Sequence, residues 1–335
     1  MYCTGETSFS FTDIETFYEK VFMEELKMAK TAKHYSIEKQ QARWGFIFTL
    51  PSLVFFAVFS FYPIINAFFT SLTNKQAISR TSKFVGLHNY VYLFTRDNGG
   101  FSLLNSMRAT IMFTFGTFVP MVILALILAV LLMQLRRPSQ KGFFQISFYM
   151  PAVLSSVVAA AIWMILFDPR GLFNQLSNTI LFTSGKDYHW LTDNTMLQIS
   201  TMIVYFWKYI GYFVILFITG LASIPPSIYE AATVDGSNKW HAFFHITLPL
   251  LKPTIVLVSI MAMLQCLKTF STQYMFAQGG AARHPIDVIT MNIYFTGIRN
   301  GQLGRASAMS IILFLIMLLF TYLQFTLSKT DDVEY

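Results

Sequence analysis

An all-α integral membrane protein with six transmembrane helices is the fold class this sequence predicts, and three observations carry the prediction. The 335 residues are 54% hydrophobic and 17% aromatic, with only 12% charged, about half the share usual in a soluble protein. Four charge-free runs, 44–74, 109–135, 142–167 and 306–328, each exceed the ~20 residues an apolar helix needs to cross a bilayer. Two more, 195–229 and 253–282, are interrupted only by Lys208 and Lys268. Length alone would suggest about two soluble domains, but a globule of this size cannot hide so many apolar side chains. The two cysteines, Cys3 and Cys266, define no disulfide framework.

The runs place six spans near 46–69, 109–133, 146–167, 197–221, 254–276 and 306–327. They are continuously apolar rather than alternating over about ten residues, which favours helices over a barrel. The first run starts well inside the chain, lacks a small-residue cleavage site and is too long for a cleavable signal peptide. An even number of spans puts both termini on one side. That side carries twelve Lys and Arg, against nine on the other, with Arg108, Lys208 and Lys268 inside or at the edge of spans. The excess predicts cytoplasmic termini. A net charge of +7 suits a neighbour of anionic lipid, and no nucleic-acid motif accompanies it. Before the first span, Thr12-Asp13-Ile14-Glu15 forms a capping box. Ile14, Tyr18, Val21, Phe22, Leu26 and Ala29 then recur at helical spacing. An amphipathic helix on the membrane or a partner, or a partly ordered tail, fits this segment.

Membrane-embedded catalysis finds no residues to support it. No G-x-x-x-x-G-K-[ST] loop is present to cradle ATP phosphates. His241 and His245 are four apart but lack the Glu of H-E-x-x-H. Gly100-Phe101-Ser102 lacks the second glycine of a nucleophile elbow. The chain is expected not to be an enzyme, so transport against a gradient must draw on another subunit or a coupled ion.

The connection between spans four and five, 222–253, is built for a partner. It reads Ile224-Pro225-Pro226-Ser227-Ile228-Tyr229-Glu230-Ala231-Ala232-Thr233-Val234-Asp235-Gly236 and continues to Ile246-Thr247-Leu248-Pro249 and Pro253. Two short helices separated by a glycine are expected. Ser227 with Glu230 makes a second capping box, and Gly236 permits the left-handed residue that ends the first helix. Asp235 is expected to cap the second helix, which Pro249 and Pro253 delimit. Ala231 and Ala232 leave a face without bulk, which lets a helix seat closely in a groove.

Glu230 through Pro249 match E-A-A-x3-G-x9-I-x-L-P at every fixed position, and in this the chain resembles permease subunits of binding-protein-dependent ABC importers. The carbohydrate branch, of the MalF and UgpA type, is the nearest in pattern. Phe84-Val85-Gly86-Leu87-His88-Asn89-Tyr90 resembles its F-V-G-L-x-N-Y, Trp207 with Gly211 its W-x-x-x-G, and Gly279-Gly280 its G-G-P. The sequence departs from the branch at Ala281, at Ser271 where an aspartate is common, and at Gly304-Arg305-Ala306 in place of G-Y-A. These departures touch the outer end and the substrate side.

The resemblance implies a type I ABC importer permease fold with cytoplasmic coupling helices in a bacterial cell membrane. It divides the chain into a tail (1–43), a first span with external loop (44–104), the permease core (105–327) and a C-terminal tail (328–335). It implies a second, MalG-like permease, two ATPase subunits, an extracellular sugar-binding protein and surrounding lipid. The chain itself would bind no cofactor, since ATP belongs to the ATPase subunits. Glu230, Ala231, Ala232, Asp235, Gly236, Ile246, Leu248 and Pro249 would couple to one ATPase. Glu230 is open to a second reading, local capping. Tyr205, Lys208, Tyr209, Tyr212, Gln265, Lys268, Thr269 and Gln273 fall where the family lines its sugar path. Aromatic rings stack on sugar faces and amides bind hydroxyls, so the residue types suit the task. Each lysine also fits a snorkelling or partner-pairing role, because a charge at membrane depth costs several kcal/mol unless it finds water or a partner. If both lysines face the path, an anionic saccharide or glycerol phosphate is favoured. An ion-coupled secondary transporter is the competing class, disfavoured because no paired repeats with broken helices are apparent.

Overall fold

The computed structural model describes residues 37–79, 81–95, 102–180 and 188–327. The amphipathic segment expected over 12–30 and the C-terminal tail lie outside the described residues. Contacts divide the chain into two units, 1–66 and 67–335. In the first, α1 (Ile37–Phe56) passes through a π turn (Ala57–Phe61) into the start of α2 (Tyr62–Ser71), whose last residues, from Ala67, belong to the second. It exposes Phe46, Phe48, Phe55 and Phe59, the all-round apolar surface of a membrane helix.

In the second unit, α3 (His88–Thr95) precedes the long α4 (Leu103–Met133), followed by α5 (Pro138–Val153), α6 (Ser156–Leu166) and α7 (Leu172–Ile180). The central helix is α8 (Asn194–Ala222). The connection holds α9 (Pro226–Val234) and α10 (Lys239–Ala242), then a π turn (Phe243–Thr247) and a last turn (Leu248–Leu250). The chain ends in α11 (Lys252–Leu267), α12 (Ser271–Gln278), α13 (Ile289–Tyr294) and α14 (Leu303–Leu327). Five helical stretches among the described residues are long and apolar enough to span a membrane, and a bent pair makes a sixth.

That pair falls on the third span expected over 146–167. α5 and α6 meet at an angle of 100°. The break falls at Leu154 and Ser155, both in extended backbone, and Ser155 caps α6 by accepting from the Val158 N–H. A sharp bend strands backbone groups that lipid cannot satisfy, and the Ser155 hydroxyl supplies one partner. Span five is also interrupted, at Lys268–Thr269–Phe270 between α11 and α12. Broken helices, which the sequence had not revealed, are therefore present.

Burial of apolar area does little to hold helices together in lipid; close packing and interhelical hydrogen bonds do. α8 packs on α4, α5 and α11. Ala125 and Ala129 of α4 and Ala262 of α11 are fully buried against Phe213, Val214 and Phe217 of α8. Gly211 admits α5: a β-carbon there would overlap the backbone carbonyl of Phe148. This gives Trp207-x-x-x-Gly211 a structural purpose, since Trp207 also packs edge-on against Trp163, 5.6 Å between ring centres. The Phe84–Tyr90 motif is structural as well. The buried Asn89 amide donates to the carbonyls of Ser71 (2.7 Å) and Thr73 (2.8 Å), and Tyr90 bonds Ser71 at 2.7 Å. Where the branch has G-Y-A, Arg305 lies 3.7 Å above the Tyr92 ring.

Candidate functional site

The break in span five opens a cavity of about 610 Å³. α8 contributes Tyr205, Tyr209 and Tyr212; the end of α11 contributes Met261, Leu264 and Gln265. The break and the start of α12 add Lys268, Thr269, Phe270, Ser271 and Thr272, and Tyr149 and Ala152 close it from the end of α5. Six of the eight path residues named from sequence thus meet at one cavity. Tyr149 and Phe270 were missed, because only the bend after α5 and the break after α11 turn those rings inward.

Lys208 and Gln273 do not line it. Lys208 is only 4% exposed and donates to the Ser156 hydroxyl at 2.8 Å, on the first turn of α6. It does not open into this cavity; it pins the break of span three. Gln273 is fully buried, and its amide oxygen accepts from Thr269 at 2.9 Å. Tyr205 gives its hydroxyl to the Gln265 carbonyl at 2.9 Å, and Thr290 gives its hydroxyl to the Thr269 carbonyl. Both donors satisfy carbonyls freed where span five stops being helical. The unbroken α8 therefore holds both broken spans, through Lys208 on one and Tyr205 on the other. Each such bond contributes roughly 0.6–2 kcal/mol within a membrane.

At the far end of the spans from the connection, residues 283–296 fasten to the start of α4. The buried Asp287 pairs with Arg283 at 2.9 Å and accepts from Ser106 at 3.2 Å. Asn292 donates to Ser106 at 2.9 Å, and Thr110 accepts from the Ile289 N–H at 2.9 Å. Burial pushes the Asp287 carboxyl up, against the opposing pull of the Arg283 guanidinium.

The connection forms the two helices expected, with corrected caps. α9 begins at Pro226, preceded by Pro225, and no side chain caps it, so Ser227 lies inside the first turn and is exposed. Proline is suited to that first position because its missing N–H is one that would be unpaired anyway. Gly236, at φ +79°, closes α9: its N–H bonds the Thr233 carbonyl (3.1 Å) and the Ser237 N–H bonds that of Ala232 (2.9 Å), a Schellman motif. Asn238, not Asp235, caps α10, accepting from the His241 N–H at 2.7 Å. Asp235 ends α9 instead, because the chain reverses at Gly236 before α10 starts. Tyr229 bonds Thr247 at 3.1 Å and ties the helices together.

Glu230, Ala231 and Pro249 are exposed, while Ala232, Ile246 and Leu248 are half-buried. Ala232, Asp235, Gly236 and Ile246 line a groove of about 400 Å³. Beside it Val234 (88% exposed) and Trp240 (74%) are bare. Large bare apolar side chains on a surface outside the spans mark a contact face.

The family described as "Binding-protein-dependent transport system inner membrane component" matches residues 106–330. The multiple sugar-binding transport system permease protein MsmF of Streptococcus mutans is 31% identical over 290 residues, 87% of this chain and 97% of that protein. The sn-glycerol-3-phosphate transport system permease protein UgpA of Agrobacterium fabrum is 30% identical over 281 residues, 84% of this chain and 92% of that protein. Among solved structures, a bacterial alginate ABC transporter, in complex with an alginate pentasaccharide-bound periplasmic protein, superposes with a TM-score of 0.72 at 21% identity. The match covers 89% of this chain and 98% of that one.

Proposed function

This chain belongs to the family of binding-protein-dependent transport system inner membrane components, a permease subunit of an ABC importer, and on that premise we propose that it lines the path of an oligosaccharide or related polyol. The observation that carries the substrate class is the cavity itself: four tyrosines, an amide and several hydroxyls converge where span three bends and span five is interrupted. Tyrosine rings stack on sugar faces, and polar groups exposed by broken helices satisfy sugar hydroxyls. Relatives named for multiple-sugar and glycerol-phosphate transport support this class.

The working unit is this chain with a second, MalG-like permease, two ATPase subunits that bind the ATP, and an external sugar-binding protein. The exposed Glu230–Ala231 face of α9 docks on one ATPase, with Glu230 meeting a basic residue there; no side-chain capping at the start of α9 competes for it. The connection follows the fourth span, so the termini share its cytoplasmic side. The chain sits as a multi-pass protein of the bacterial cell membrane.

The test is uptake of a labelled sugar panel by the whole transporter in proteoliposomes. One saccharide or polyol should enter only with ATP inside and binding protein outside. Uptake driven by an ion gradient without ATP, or no uptake of any member, would overturn the reading.

A further inference from the structure

Lys268 sits at the cavity wall as the residue that ends α11, with its side chain exposed to the opening. No carboxylate lines that cavity. Among the described residues the one ion pair is Arg283 with Asp287, so Lys268 has no acidic partner there. The contrast with Lys208 is informative, because that lysine at similar depth is buried and committed to Ser156. An ammonium kept uncompensated at membrane depth costs several kcal/mol, and a fold that can bury one lysine against a hydroxyl leaves the other open.

The charge does not stand by itself. From Phe270 at the cavity rim, rings run outward through Tyr274 (stacked, 5.1 Å) to Tyr294 (5.3 Å) and Phe295. Arg283 lies 3.7 Å over Phe295, and Arg299 ends the π turn that Phe295 begins. The outward approach is therefore aromatic and cationic, a combination that draws anions inward while offering faces for sugar rings.

Resting on the reading of this cavity as the sugar path, we infer that the substrate is a hydroxylated compound bearing an anionic group, and that Lys268 is the residue that selects for the charge. A lysine head is a compact point charge, suited to a single carboxylate or phosphate oxygen.

The test compares the whole transporter in proteoliposomes with its Lys268→Gln and Lys268→Arg variants. The probes are a labelled uronic-acid trisaccharide, its neutral hexose counterpart and glycerol 3-phosphate. Uptake of an anionic probe by the unaltered protein is expected, with KM raised about tenfold in Lys268→Gln, as for the loss of one charge-assisted hydrogen bond. Lys268→Arg should restore most of it. The uronate and phosphate arms then separate the two anion sources. Uptake of the neutral probe alone, with KM unmoved by Lys268→Gln, overturns the inference and leaves the importer reading intact. Equal losses on neutral and anionic probes, or loss of assembly with the second permease, also overturn it, assigning Lys268 to structure. If no probe moves at all, the sugar-path reading beneath it fails instead.

Discussion

Uptake through a transporter carrying Gly236→Pro is expected to collapse while the permease still inserts and assembles. Gly236 holds φ at +79°, whereas proline fixes φ near −65° and carries no N–H. The substitution removes the bond to the Thr233 carbonyl and disfavours the helical conformation of Asp235 before it, so α9 loses its closure. Nothing lies within 4 Å of a β-carbon built at this position, so no steric conflict spreads into the spans. The damage is confined to the angle between α9 and α10. If that angle transmits ATPase motion, binding-protein-stimulated hydrolysis and uptake should fall together by about tenfold or more, as for one lost coupling free energy. Gly236→Ala, which strains the backbone by roughly 1–2 kcal/mol, should fall between. Unchanged uptake in Gly236→Pro would remove this connection from the power stroke.

Gly211→Leu should act by the opposite route, through packing. A β-carbon at Gly211 meets the Phe148 backbone, which cannot swing aside as a side chain would. α5 must back away from α8, carrying Tyr149 and Ala152 out of the cavity wall. Overpacking in a core typically costs about 1–3 kcal/mol, and more when backbone has to move. A lower thermal midpoint in detergent and loss of uptake are both expected. Gly142→Ala, on α5 with nothing within 4 Å, serves as the control and should leave both unchanged. A thermal midpoint for Gly211→Leu equal to that of the control would mean that α5 and α8 do not pack as closely as described.

The spans and the two-helix connection were legible in the sequence because run length and a fixed motif are local signals. The bends were not. Span three breaks at Leu154-Ser155, inside an uninterrupted apolar run, and the only local hints are Pro151 and the pair Ser155-Ser156. Span five breaks at Lys268-Thr269-Phe270 without glycine or proline. Both interruptions depend on donors from α8 or α13 distant in the chain: Lys208 reaches Ser156, Tyr205 reaches Gln265 and Thr290 reaches Thr269. For the same reason the bond of Lys208 was not foreseen, since spacing gives its depth in the membrane and says nothing of a hydroxyl 52 positions away. The misplaced caps have a simpler origin. Ser227 and Asp235 are good capping residues, but Pro225-Pro226 starts α9 earlier, and the turn at Gly236 passes the capping role to Asn238.

The claim on which the rest depends is that the cavity between the broken spans is the path. Its most direct test is thiol labelling of the assembled transporter, with Cys3 and Cys266 first replaced by alanine. Tyr212→Cys and Lys268→Cys should react with a membrane-impermeant reagent and be protected by the transported substrate. Lys208→Cys and Gln273→Cys, whose parent side chains are buried behind the wall, should stay unlabelled. Labelling and protection of the buried pair, with the cavity pair inert, would put the path elsewhere.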